Sequence, residues 1–150
     1  MKLKSKLFSI LFVLSLSFIV AIPAFAASSS YDFNIVVAVD GKEKGNYHTL
    51  DIGSVSAAGL AYYTGTSKDY AASKPPGQNV SYALYKDDSG ADTFYGTVSQ
   101  YVSSTSTPNK VDKFNEAFDK SPGAKSSKYY LVISTKDTGW KISGEGKLKQ

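Results

Sequence analysis

The chain has no cysteine and no arginine, and only one histidine, one tryptophan and one methionine in 150 residues. Without cysteine there is no disulfide, so a secreted domain of this size must be held by its core alone. The thiol nucleophile is also missing, and one histidine cannot supply the Cys/His clusters from which zinc sites are built. Nucleophilic catalysis in its commonest forms sets a base, usually histidine, beside serine or cysteine. His48 is the only histidine. It falls on a predicted strand beside a turn and reads as an ordinary surface or edge residue. The absence of arginine removes bidentate phosphate recognition. No concentrated basic face replaces it, so nucleic acid is discounted as a partner.

The formal charge of +4 is carried largely by the start of the chain. Lys2, Lys4 and Lys6 precede an apolar run from Leu7 to Ile22, and Ala24-Phe25-Ala26 is a small-x-small cleavage site. This is the pattern of a secretory signal peptide over residues 1–26. The run falls short of the ~20 residues of a membrane span, and nothing after Ala26 resembles a second one. The remainder, 27–150, suits one domain. Its lysines nearly balance the 13 acids. A leader, no cysteine, lysine-only basic residues and abundant Tyr, Ser and Thr suggest a secreted protein of a Gram-positive bacterium.

The hydrophobic pattern of that domain is mostly of period two. Val80, Tyr82 and Leu84 alternate with Ser81, Ala83 and Tyr85. Asp87-Asp88-Ser89-Gly90 supplies a turn, and Phe94 to Val98 resumes strand composition, so Asn79–Val98 is a hairpin. Further strands are expected over Tyr31–Val39, Tyr47–Ile52, Leu60–Thr64, Tyr129–Thr135 and from Trp140 to Gly144. Gly65–Gln78, with Pro75-Pro76-Gly77, is a loop. One short helix is expected near 110–120. Asn109 after Pro108 would be its N-cap, Asp112 would lie near its positive end, and Val111, Phe114 and Phe118 would form its apolar stripe. The fold class is mainly β, an antiparallel β-sandwich or open barrel with that single helix.

Eight carboxylates could serve a paired-carboxylate hydrolase: Asp40, Asp51, Asp87, Asp88, Asp92, Glu116, Asp137 and Glu145. No motif places them, and most of the Asp lie in or beside turns. Asp87, Asp88, Ser89 and Asp92 offer oxygens to calcium, but their spacing is not that of an EF-hand. The favoured reading is a polar hairpin tip whose Asp side chains cap backbone N–H groups. No catalytic residue, metal site or cofactor is implied. The aromatics say more. All 11 tyrosines lie beyond Ala26, and roughly half would suffice for a core of this size. Tyr62, Tyr63, Tyr70, Tyr85, Tyr95 and Tyr130 fall on faces or loops able to present a ring to a partner.

Ala83-Leu84-Tyr85, Asp88-Ser89-Gly90 and Tyr129-Tyr130-Leu131-Val132-Ile133 give the segment Val80–Leu148 a pattern that resembles the pre-peptidase C-terminal modules of secreted bacterial peptidases. The resemblance implies a small sandwich and carries over no catalytic residue. The chain departs from it in the expected helix and in having no attached catalytic domain. The whole chain is also similar to free-standing secreted Gram-positive proteins of unknown function that end in a strand with a Ser-Gly step, here Ile142-Ser143-Gly144. The functional expectation is a non-enzymatic extracellular binding protein at the cell envelope, with a cell-wall glycan or an extracellular protein as partner. The alternatives are a secreted antimicrobial or toxin-like effector and a small carboxylate hydrolase.

Overall fold

The alternation around Val80-Tyr82-Leu84 does produce the predicted hairpin, and the other strands pack against it. The computed structural model describes residues 28–67 and 72–150. Its elements are β1 (Ser28–Ile35), β2 (Ala38–Asp40), a one-turn helix α1 (Gly41–Lys44), β3 (His48–Leu50), β4 (Ser56–Thr66), β5 (Gln78–Lys86), β6 (Thr93–Val102), β7 (Asp112–Ala117), β8 (Ser126–Thr135) and β9 (Trp140–Lys149). The first sheet runs β1-β9-β4-β7. The second runs β2-β8-β5-β6, with β3 following β2 along the same side of β8. Every pairing is antiparallel. The two sheets pack as a sandwich. The leader expected over 1–26 and Tyr70 lie outside the described residues.

The core lies between the sheets. Tyr31, Phe33 and Ile35 of β1 and Ile142 and Leu148 of β9 face Val80, Tyr82 and Leu84 of β5 and Leu131 and Ile133 of β8. Tyr82 is at its centre. Its ring stacks on Phe114 at 4.7 Å and meets Phe33 edge-on at 5.8 Å. Its hydroxyl donates to Gln100 Oε1 at 2.7 Å, and Gln100 Nε2 donates to the Asp112 carbonyl at 2.7 Å. A buried tyrosine and glutamine thus satisfy each other and tie β5 and β6 to β7. Between Ile142 and Leu148, β9 has glycine at 144 and 146. A Cβ on Gly144 would fall 2.5 Å from the Phe33 ring, and one on Gly146 would fall 2.5 Å from the Tyr31 hydroxyl. The two glycines form the socket for the rings of β1.

The helix is not at 110–120. That stretch is β7, an edge strand paired to β4 from Ser56↔Ala117 to Ala61↔Asp112. Phe114 and Phe118 are four residues apart, which is one helical turn and also two strand repeats, so their spacing does not discriminate. A ten-residue helix is marginal alone, whereas a strand here pairs the backbone groups that β4 would leave open. Pro108-Asn109 is not a cap but the middle of a tight turn, closed by Lys110 N–H to the Thr107 carbonyl at 2.9 Å. Among the described residues the helical turn lies at α1, capped by the Asp40 carboxylate and ended by Gly45 at φ 71°.

Other boundaries also move. Val36-Val37 breaks the first predicted strand, and the chain crosses there from one sheet to the other. β4 starts at Ser56, before the expected Leu60, and β9 continues to Lys149. No helix among the described residues is long and apolar enough to cross a membrane.

Candidate functional site: an aromatic row on the second sheet

The outer face of the second sheet carries four aromatic rings in line across its strands. The ladder explains why. Tyr129 and Leu131 of β8 point into the core, so Tyr130 points outward, and it pairs with Tyr85 of β5. Between β5 and β6 the register slips: Leu84 pairs with Gly96, then Tyr85 pairs with Phe94. Gly96, at φ 126°, permits this bulge. The extra residue, Tyr95, turns against Tyr129 at 5.5 Å, and Phe94 joins Tyr85 outside. Tyr47, just before β3, completes the row. The ring centroids are 6.3 Å apart for Tyr47–Tyr130, 5.5 Å for Tyr130–Tyr85 and 5.2 Å for Tyr85–Phe94. The row spans three strand spacings, roughly 14 Å. Tyr130 is buried and Tyr85 half-buried. The end rings are open, Tyr47 at 40% and Phe94 at 41%.

A polar frame fixes one end of this row. Asp40 Oδ1 accepts from the Lys42 backbone N–H at 2.8 Å, which holds α1 and projects Lys42. Lys42 Nζ lies 2.8 Å from Asp87 and 2.9 Å from Asp92, both in the β5–β6 turn. The Tyr47 hydroxyl donates to Asp87 at 2.9 Å and the Tyr130 hydroxyl to Asp92 at 2.6 Å. One ammonium and two phenols therefore serve two carboxylates. These contacts hold the Lys42 amine well above its ordinary range. Asp87 is held below the usual carboxylate value, chiefly by Lys42 and then by Tyr47. Asp92 is held below it by Tyr130 and then by Lys42. Burial, then the bond to Asp92, pushes the Tyr130 phenol far up. Asp88 is engaged separately by Lys86 at 2.5 Å and by the Thr93 hydroxyl at 2.6 Å.

The predicted aromatic set is divided by this geometry. Tyr85 and Tyr130 belong to the row. Tyr95 does not, because the bulge directs it inward. Tyr63 is buried at 4%, with its hydroxyl on the Pro76 carbonyl and its ring against Trp140. Tyr62 is half-buried on the opposite sheet. Tyr47, Phe94 and Lys42 were not singled out from sequence. The available signal was the position of Phe94 just after the turn, beside a glycine able to bulge.

Asp87 and Asp92 converge on an ammonium. Among the described residues, no group of three or more His, Cys, Asp or Glu is placed to hold a metal ion. His48 is not a surface residue: it is 4% exposed on edge strand β3, with Nδ1 2.8 Å from Ser29 Oγ. Among the described residues no carboxylate bonds its ring, so the pair lacks the orienting acid of a triad. His48 lines a cavity of about 170 Å³ with Tyr31, Asp32, Val39 and Leu131. A wider open trough on the first sheet is walled by Asp32, Leu60, Lys113, Glu145 and Lys147.

Together these features define, over the described residues, an antiparallel β-sandwich of nine strands with a framed aromatic row on one outer face. No known protein-family model matches the chain, and no curated protein matches it.

Proposed function

We propose that this is a non-enzymatic extracellular binding protein acting at the cell envelope, and that it takes glycan of the cell wall on the outer face of the second sheet. The observation that carries this reading is the row from Tyr47 to Phe94. Its end rings are open and its middle rings are locked by stacking and by the Lys42–Asp87–Asp92 frame. Rigid aromatic side chains give contact area at low conformational cost. Sugars offer apolar ring faces and a rim of hydroxyls, which suit rings bordered by carboxylates and an ammonium. The predicted leader supports an extracellular site of action. The near-balance of charge beyond Ala26 speaks against attachment by electrostatics alone.

The test is co-sedimentation of the purified protein with isolated Gram-positive cell walls. Saturable binding that survives moderate salt is expected, with about tenfold weaker binding by the Tyr47→Ala/Phe94→Ala variant. Binding unchanged by that pair, or lost entirely in moderate salt, would count against the reading.

A further inference from the structure

The two sheets end laterally in four edges: β1 and β7 in the first, β6 and the β2/β3 side in the second. An edge strand offers unpaired N–H and C=O groups to any other strand, and folded proteins blunt it with charge, proline, bulges or brevity. Three of these edges are blunted. β7 carries Asp112, Lys113 and Glu116 in six residues. β2 and β3 are three residues each and are separated by the charged turn Lys42-Glu43-Lys44. β1 carries Asp32, and its Ser29 is bonded to His48 across the seam between the sheets.

β6 differs. Its ten residues, Thr93–Val102, include no charge and no proline. Its first half is protected by the bulge at Tyr95, whose carbonyl accepts the Lys120 N–H at 3.0 Å. Along Thr97–Val102 the inward Gln100 side chain reaches β7, at the Asp112 carbonyl, but no backbone bond covers the edge: among the described residues its backbone makes no hydrogen bond outside the β5 ladder. Thr97, Ser99 and Tyr101 are exposed, Tyr101 at 62%. The segment Thr-Val-Ser-Gln-Tyr-Val has the uncharged, proline-free, strand-forming composition of self-pairing β segments.

We infer that Thr97–Val102 is a self-association edge, on which two copies of this chain pair β6 to β6, antiparallel, about a two-fold axis normal to the sheet. A second copy fits because an antiparallel edge is complementary to its own image under that symmetry, and the contact closes at two chains. An uncharged edge presents no like charges to its image, whereas β7 would oppose charge to charge. The axis keeps each face on its own side, so opposed residues share a face: Thr97 meets Tyr101 about a central Ser99, five residues in register with roughly four to six bonds, a small contact of the weak, transient class. Both outer faces then lie on one side of a continuous sheet. Whatever the aromatic rows bind, they bind it bivalently.

Sedimentation velocity tests this on the purified protein from about 10 μM to about 1 mM, the range of weak association. The expected result is a rise from one-chain to two-chain mass. The Thr97→Lys/Ser99→Lys variant should weaken association about tenfold or more, with an unchanged unfolding temperature because both side chains are exposed. Asn115→Lys, on β7, should associate like the parent. Because the chain has no cysteine, single Thr97→Cys, Ser99→Cys and Tyr101→Cys variants add a direct probe. At least one should form a disulfide-linked dimer under mild oxidation faster than Asn115→Cys. One-chain mass throughout the range, association indifferent to the lysine pair, or cross-linking no faster on β6 than at Asn115 would each overturn the inference.

Discussion

Replacing Gly144 by alanine should destabilise the protein, although its backbone suits any residue. Gly144 is not among the glycines with positive φ, and a strand ordinarily gains about 0.5–1 kcal/mol from alanine over glycine. Here the methyl group would lie 2.5 Å from the Phe33 ring and 2.5 Å from the Leu60 carbonyl. Carbon atoms rest at about 3.5–4.0 Å, so the ring must retreat by roughly 1 Å. It cannot do so freely, because Phe33 meets Tyr82 edge-on and Tyr82 stacks on Phe114. Overpacking of this kind costs about 1–3 kcal/mol; with a backbone carbonyl as well as a packed ring in the way, the upper part of that range applies, and less the alanine gain the net loss is about 1–2 kcal/mol. For a domain of this size that lowers Tm by roughly 4–10 °C. Thermal and urea unfolding should be run beside Gly90→Ala. Gly90 has no atom within 4 Å of its would-be Cβ and no positive φ, so alanine there should be neutral or gain up to about 1 kcal/mol. Shortening the ring should relieve the clash, so Phe33→Leu combined with Gly144→Ala should cost less than the two single changes added. A Gly144→Ala protein as stable as the parent, or strict additivity with Phe33→Leu, would refute the socket.

Three further outcomes follow from the same contacts. Tyr82→Phe leaves the buried Gln100 Oε1 without its donor and should cost about 1–3 kcal/mol in urea unfolding, while Tyr101→Phe, at an exposed ring, should change little. Burial lowers the His48 pKa from its ordinary 6.5. Stability from keeping the ring neutral is therefore full above that value and is lost as pH falls through the folded value. NMR titration of this sole histidine should give a midpoint below 6.5, and one at or above it would contradict the burial. Asp87 and Asp92 are both held below 3.8, so their pairing with Lys42 stabilises fully above that value and is lost as pH falls through the folded values. The Lys42→Met protein should accordingly show a smaller drop in urea midpoint between about pH 7 and pH 3 than the parent.

The sequence is most legible where one local signal decides the outcome. Val80-Tyr82-Leu84, the Asp-rich turn and Phe94–Val98 specify the central hairpin without help. Phe114 and Phe118 do not specify a helix, because a spacing of four satisfies both periods and the open side of β4 decides between them. Ser56–Gly59 carries no local strand signal because its residues are small. They are small because Tyr31 lies over them, with its hydroxyl on the Ala58 carbonyl at 3.3 Å, a contact between segments 27 residues apart. Val36-Val37 reads as a two-sided strand, since adjacent apolar residues do not reveal a change of sheet. The site follows the same division. Tyr85 and Tyr130 are recognisable as strand aromatics, but only the register brings them together, and only the bulge at Gly96 sends Phe94 outward and Tyr95 inward. Lys42 meets Asp92 across a gap of fifty residues, with no local sign of it.

The most direct measurement is an NMR titration of the labelled protein with soluble cell-wall glycan fragments, following the backbone amides. Shifts concentrated at Tyr47, Tyr85, Phe94 and the 87–92 turn, and absent from the Tyr47→Ala/Phe94→Ala variant, are the predicted result. Shifts centred on Lys113, Glu145 and Lys147 of the first sheet, or none at saturating glycan, would contradict the assignment of the binding face.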